Sequence, residues 1–267
     1  SRMLSGQTGF SDVTGRVGLT YNPRSELGLY ASWGTGFLPP ATEELANNPE
    51  QQGGFNQRLV PATSHGGELG LRGSWKRRVT YDLTVFHLDT QNDFGRYRVP
   101  GRPLETFYGN LGSSSRWGGE LALGVSLSSG LRVSGAYTFS DFRYTDVVSL
   151  FGSFHDTVMP NAPRHMLGLE AEYRIGRHWE LGVMLDGQSE QYVDQANLAS
   201  AGGYLLVSPR LAFHWTGKQH AGTVMLVARN LLGEEYIAFT EPDPDGNSYQ
   251  PGLTREVFLG LRIETRR

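Results

Sequence analysis

The sequence predicts an all-β chain, a portion of an antiparallel up-and-down transmembrane β-barrel with about eleven long strands. Three observations carry that expectation. Apolar and polar residues alternate at period two along most of the chain. The alternating runs last ~9 to 16 residues, whereas strands of soluble proteins average ~5 to 6. Short and long connectors alternate strictly between the runs. A membrane barrel needs ~9 to 11 residues per strand and has short turns on one rim and longer loops on the other.

In chain order, Val13 to Tyr21 and Leu27 to Gly34 flank a short turn at 22–26. Glu68 to Trp75 and Val79 to Thr90 flank Lys76-Arg77-Arg78. Leu121, Leu123, Val125 and Leu127 oppose Glu120, Ala122, Gly124 and Ser126; beyond a turn at 128–130, Leu131, Val133, Gly135, Tyr137 and Phe139 oppose Arg132, Ser134, Ala136 and Thr138. Leu167, Leu169, Ala171, Tyr173 and Ile175 oppose Met166, Gly168, Glu170, Glu172 and Arg174. The tight Gly176-Arg177-His178 turn then leads into Trp179, Leu181, Val183 and Leu185 against Glu180, Gly182, Met184 and Asp186, which predicts a hairpin. Leu205 to Trp215 and Thr223 to Leu232 flank 216–221, and Arg255 to Glu264 stands last. The long polar connectors are 35–62, 92–104, 146–162, 191–203 and 233–252, and Ser1 to Asp12 reads as the remnant of another. No segment shows a convincing helical period.

Composition narrows the function classes. A net charge of -3 with no Lys/Arg run argues against nucleic-acid binding, which needs a basic face. With 0 Cys there is no disulfide framework, thiolate metal site or cysteine nucleophile. Gly numbers 35 of 267, well above the usual ~7%, without a collagen repeat. Every 18-residue window contains polar residues, which excludes a spanning helix but not a barrel, whose strands never produce a long apolar run. Ser1-Arg2-Met3-Leu4-Ser5 has no signal-peptide core.

Alternation alone suits a soluble sandwich and a barrel with a wet lumen equally well. The charged rows are Gly-rich and of mixed sign: Arg16, Glu68, Arg72, Asp82, Glu120, Arg132, Glu170, Glu172, Arg174, Arg210 and Arg262. That composition is expected of a hydrogen-bonded lumen wall. Aromatics gather at strand ends, Tyr21, Trp75, Trp179, Phe213 and Trp215 beside short turns and Trp33, Phe37, Tyr137 and Phe139 towards long connectors. Two interfacial girdles have this pattern.

Five stretches carry a family resemblance. They are Tyr30-Ala31-Ser32-Trp33-Gly34-Thr35-Gly36-Phe37-Leu38-Pro39-Pro40 with Glu44-Leu45; Glu68-Leu69-Gly70-Leu71-Arg72-Gly73; Tyr108-Gly109-Asn110-Leu111-Gly112 continuing to Gly118-Gly119-Glu120; Asn230-Leu231-Leu232-Gly233-Glu234-Glu235-Tyr236; and Pro251-Gly252-Leu253-Thr254-Arg255-Glu256-Val257-Phe258. In order and spacing they resemble the C-terminal half of the barrel of TonB-dependent outer-membrane receptors, of the siderophore-receptor type. The resemblance implies half of a 22-stranded barrel over 1–267, with the plug domain and N-terminal strands absent. It further implies a receptor in the outer membrane of a Gram-negative bacterium that imports a ferric siderophore or another scarce iron chelate. The implied partners are outer-membrane lipid and lipopolysaccharide, the small-molecule ligand, and the TonB complex through the missing N-terminal region. Glu264-Thr265-Arg266-Arg267 departs from the family's terminal aromatic.

No enzyme signature emerges and no cofactor is expected. His65, His87, His155, His165, His178, His214 and His220 lack metal-ligand spacing. Glu241-Pro242-Asp243-Pro244-Asp245-Gly246-Asn247 resembles a calcium loop but lacks the distal Glu, so it reads as a solvated turn. The candidate substrate-binding residues are Arg96, Tyr97, Arg98 and Arg102, since Arg with aromatics suits an anionic ferric chelate. Phe151, His155, Tyr192 and Tyr249 are further candidates. The competing readings are a passive porin or autotransporter-type barrel and a soluble β-sandwich. A half-sheet leaves two edges unpaired, so the expected structure is an open curved sheet or a strained closure between Val13 and Val257.

Overall fold

The computed structural model describes residues 7–46, 48–50, 54–149, 152–241 and 246–265. The elements are β1 (Arg16–Arg24), β2 (Leu27–Leu38), a one-turn helix α1 (Thr42–Leu45), β3 (Ala62–Trp75), β4 (Val79–Val99), β5 (Arg102–Ser126), β6 (Leu131–Ser149), β7 (Gly152–Val158), β8 (His165–Ile175), β9 (Trp179–Gln188), β10 (Gln191–Tyr192), β11 (Ser200–Ala201), β12 (Tyr204–Thr216), β13 (His220–Arg229), β14 (Ile237–Glu241), β15 (Ser248–Pro251) and β16 (Glu256–Thr265). One antiparallel sheet runs β1-β2-β3-β4-β5-β6-β8-β9-β12-β13-β16, with β7 attached to β6. Eleven strands therefore form the wall. No pairing joins β1 to β16 among the described residues, so the sheet is open.

The hydrogen-bonded register sorts side chains onto two faces, because residues directly paired across antiparallel strands point the same way. Arg16 shares its face with Gly34, and Ser32 with Glu68. Arg72 opposes Asp82, and Thr84 opposes Glu120. Arg132 opposes Glu172, Arg174 opposes Glu180, Gly182 opposes Arg210, and Thr223 opposes Arg262. All eleven charges of the sequence-predicted rows thus lie on one face, with Glu170 two residues from Glu172 on the same strand. On this face side chains reach past a neighbouring strand. Arg16 pairs with Glu68 at 3.0 Å, Phe86 meets Phe142 at 6.2 Å, and Arg210 bonds Glu172 across β9. Side chains on the inner side of a curved sheet converge in this way.

The opposite face carries the apolar rows and stays open, with Leu69 60% and Leu259 76% exposed. The few fully buried apolar side chains instead sit mostly among the connectors at one end, including Leu59, Phe107 and Val193. A soluble sandwich would bury its apolar rows against a second sheet. Here there is one layer.

Rings fill the gaps that glycine leaves. A Cβ at Gly70 would lie 2.2 Å from the Tyr30 ring, and one at Gly222 2.3 Å from Trp215. The Tyr30 hydroxyl thereby reaches Asp82 at 3.4 Å and Thr84.

The structure corrects three expectations. Residues 92–104 are not an open loop: β4 and β5 continue as a hairpin to a two-residue Pro100-Gly101 turn, with Gly101 at φ 84. Pro followed by a positive-φ Gly suits a type II turn, so this punctuation closes a hairpin rather than opening a loop. Strand lengths consequently reach 25 residues in β5, beyond the expected range, and at ~3.4 Å per residue this greatly exceeds the ~25 Å apolar band of a barrel. Finally, α1 stands where no helix was expected, held by Ala46 N–H to Thr42 O at 3.0 Å and by Glu44 reaching back to the Ala41 N–H at 2.6 Å.

Leu169→Arg, on the apolar face, should destabilise refolding into vesicles by about 2 to 4 kcal/mol, while Glu170→Gln, one residue on, should be nearly neutral. Equal losses in urea titrations would contradict the face assignment. Gly70→Val should displace Tyr30 and cost about 1 to 3 kcal/mol, with Tyr30→Ala relieving part of the clash in the double variant.

Candidate functional site

The long connectors gather at one end of the sheet, where bridging asparagines and two hairpins build a rim. Asn110 presents its carboxamide to the backbone of a single residue, accepting from Val60 N–H at 2.8 Å and donating to Val60 O at 2.7 Å. Asn197 does the same with Val158, at 2.7 and 2.8 Å. A carboxamide carries the same donor and acceptor as a peptide group, so it substitutes for a strand where the chain is irregular. Asn161 donates to Thr240 O at 2.9 Å through its side chain and to Tyr192 O at 3.0 Å through its backbone. Since Thr240 pairs with Tyr249, the predicted residues Tyr192 and Tyr249 belong to one connected group of hairpins.

The three arginines of the β4–β5 hairpin divide into two kinds. Arg102 is committed: it grips Glu105 with two bonds of 2.9 and 2.6 Å, donates to Asn48 O and Pro49 O, and lies 4.5 Å from the Phe107 ring centroid. The Glu105 hydrogen bond raises its pKa further. Arg96 and Arg98 are exposed, and neither forms an ion pair or side-chain hydrogen bond among the described residues. Tyr97 packs 6.0 Å from Phe107, and burial raises its pKa. Aromatic and cationic groups therefore share the hairpin, but only two guanidinium groups are available to a ligand.

His155 projects from β7 and pairs with Asp146 on β6 at 3.1 Å, both highly exposed. Phe151 lies outside the described residues, as do 242–245 of the calcium-like stretch. Sequence reasoning missed a neighbouring cleft of about 470 Å³ lined by Arg143, Asp156, Arg164, His165, Glu190 and Tyr192. Its charges are cross-linked: Asp141 accepts from Arg143 at 3.1 Å, Arg164 at 3.3 Å and the Trp117 indole at 3.1 Å. The available signal was the continuing alternation of Asp141 and Arg143 past Phe139, where the predicted strand had stopped.

A second charged group lies on the wall. Arg210 joins Glu172, Glu180 at 3.2 Å and Glu170 at 3.9 Å, and Arg174 joins Glu180 at 3.2 Å. Among the described residues no cluster could hold a metal ion.

A single-layer antiparallel sheet with an open apolar face, a charged inner row, short turns at one end and braced hairpins at the other defines the class, a segment of a large membrane β-barrel. The chain belongs to the TonB dependent receptor-like β-barrel family, whose profile matches residues 4–231. It is 25% identical over 195 residues to a protein of Acinetobacter baumannii named as a probable TonB-dependent siderophore receptor, PiuA, covering 69% of this chain and 25% of that protein. It is 30% identical over 144 residues to the ferrichrome outer membrane transporter/phage receptor of Escherichia coli, covering 51% of this chain and 18% of the relative. The crystal structure of PiuA superposes with a TM-score of 0.76 at 18% identity, over 94% of this chain and 35% of that one. The ferric yersiniabactin uptake receptor of Yersinia pestis does so with a TM-score of 0.75 at 17% identity, over 95% and 37%. The chain thus spans about a quarter of the length of the curated PiuA sequence. The family consists of transport receptors rather than enzymes, and these relatives favour neither a porin nor an autotransporter.

The Asp146 hydrogen bond and charge raise the His155 pKa. A raised folded-state pKa means that the pair's stabilisation is fully present below the unfolded-state value of ~6.5 and is lost as pH rises through the folded value. His155 should therefore titrate above ~6.5 by NMR, and Asp146→Asn should bring it back. An unchanged midpoint in the variant would refute the pairing.

Proposed function

We propose that this chain is the C-terminal part of the barrel of a TonB-dependent receptor that imports an anionic iron chelate, with a ferric siderophore as the leading ligand class. In this reading residues 1–267 are barrel only. The plug and the segment that contacts the TonB complex belong to sequence N-terminal to it, and the site is the outer membrane of a Gram-negative bacterium. The apolar face meets lipid, with lipopolysaccharide at the outer end. The row of Arg16, Glu68, Glu120, Glu172, Arg210 and Arg262 lines the lumen.

The observation that carries the ligand class is the charge of the β4–β5 hairpin. Among the five long connectors, 92–104 alone has more cations than carboxylates, with Arg96, Arg98 and Arg102 against Asp93. Exposed Arg96 and Arg98 supply charge-assisted donors to an anionic chelate and steer its approach. Arg102 acts as a positioning residue, since its guanidinium ties the hairpin to Glu105 and to the connector at Asn48 and Pro49. The names of the relatives, a siderophore receptor and a ferrichrome transporter, support the same class.

In the full-length receptor, Arg96→Gln with Arg98→Gln should slow ferric-chelate capture, more strongly at low ionic strength than at high, because exposed charges are screened over ~8 to 10 Å at physiological salt. Arg102→Gln should instead increase protease cleavage of the hairpin with a salt-independent loss of binding. Binding of anionic chelates unchanged at both salt concentrations in the double variant would remove this hairpin from the ligand path.

A further inference from the structure

The short turns form a second rim whose charge is opposite in character to that of the loops. They carry the exposed cations Arg24, Lys76, Arg77, Arg78, Arg177 and Lys218 and a single carboxylate, Glu26. None of these six side chains forms an ion pair or hydrogen bond among the described residues; Lys76 lies 4.7 Å from the Trp75 ring centroid instead. In four of the five long connectors carboxylates outnumber cations. With a net charge of -3 the chain is not basic as a whole, yet its short turns hold six cations against one carboxylate.

We propose that this short-turn rim binds the headgroups of anionic phospholipids in the leaflet it meets. The proposal rests on the membrane-barrel reading given above. Tyr21, Trp75, Trp179, Phe213 and Trp215 stand on or beside these turns, and the register puts them on the apolar face. Indole and phenol rings settle at headgroup level in a bilayer, and Lys and Arg placed immediately beyond them meet the phosphates. The cations also cost backbone energy. Lys76 and Arg77 take φ 49 and 55 in a turn closed by Arg78 N–H to Trp75 O at 3.0 Å. Two positive-φ positions favour Asn-Gly, and side chains such as Lys and Arg are strained there.

Their spacing favours lipid over a compact acidic partner. The four cation-bearing turns join β1 to β2, β3 to β4, β8 to β9 and β12 to β13. From β1 to β13 is nine strand-to-strand steps, roughly 45 Å of circumference at ~4.8 Å each. A belt of separate headgroups matches cations distributed in this way; a single pocket does not.

The test uses the full-length receptor purified into nanodiscs of phosphatidylethanolamine alone or mixed with phosphatidylglycerol, with retained lipid counted by native mass spectrometry. The unsubstituted receptor should retain phosphatidylglycerol preferentially, less so at high salt. The combined variant Lys76→Gln/Arg77→Gln/Arg78→Gln/Arg177→Gln/Lys218→Gln should lose roughly fivefold in affinity per cation removed, whereas Lys76→Arg/Lys218→Arg should keep it. Equal retention of the two lipids, or undiminished phosphatidylglycerol binding in the Gln variant, would overturn the proposal. So would displacement of the lipid by an acidic peptide at equal concentration. A separate arm tests orientation: Lys218→Cys should react with a membrane-impermeant maleimide only after the outer membrane is permeabilised. Reaction in intact cells would overturn the placement of the short turns and not the lipid preference, which the nanodiscs measure independently.

Discussion

The structure depends on one constraint: a backbone amide inside hydrocarbon must find its partner within the protein. Among the described residues pairing runs unbroken from β1 to β16 along the wall, and the outer edges of β1 and β16 stay open. Because side chains in a strand alternate strictly, this continuous ladder also decides which residues can ever share a face. The eleven charges from Arg16 to Arg262 fall together for that reason, although they are scattered over the whole chain. Most register shifts lie beyond the wall. In the β4–β5 pair they begin at Thr90/Asp93, where Asn92 takes φ 57 and the barrel register gives way to the outer hairpin.

The same requirement continues into the irregular rim, where side-chain amides replace strands. Asn110 and Asn197 each satisfy the backbone N–H and C=O of one residue, and buried Asn230 bonds Glu234 O, Leu253 O and the Glu234 N–H. Asn110 and Asn230 belong to stretches that had marked the family resemblance. Their work in this structure is to brace connectors rather than to contact a ligand. An Asp at either position would keep the acceptor and lose the donor, leaving a carbonyl unpaired.

Charge is arranged in three zones with different consequences. On the wall, Arg210 and Arg174 are neutralised locally by Glu170, Glu172 and Glu180, which suits a surface that has to stay folded beside water. At the loop rim most carboxylates and guanidinium groups cross-link connectors, as Asp141 and Glu105 do, and Arg96 and Arg98 stand apart. At the short turns the cations have no ion-pair partner among the described residues. An unpaired exposed cation costs little in water, so its position is free to serve an external anion.

The fold class, the number of wall strands and the two faces were legible in the sequence, because period-two alternation is local and a one-residue slip would invert it. Leu167 to Ile175 against Glu170, Glu172 and Arg174 needed no tertiary information to assign. What only the tertiary structure decided was pairing beyond the wall. Residues 92–104 lose their regular alternation at bulges, so their continuation as a hairpin follows from the facing chain at Phe107 and Tyr108. Likewise Arg96, Arg98 and Arg102 are equivalent as letters, and only the approach of Glu105, Asn48 and Pro49 separates the committed guanidinium from the free ones. Alternation is a property of consecutive residues, whereas the partner of a charge is set by whichever distant segment folds against it.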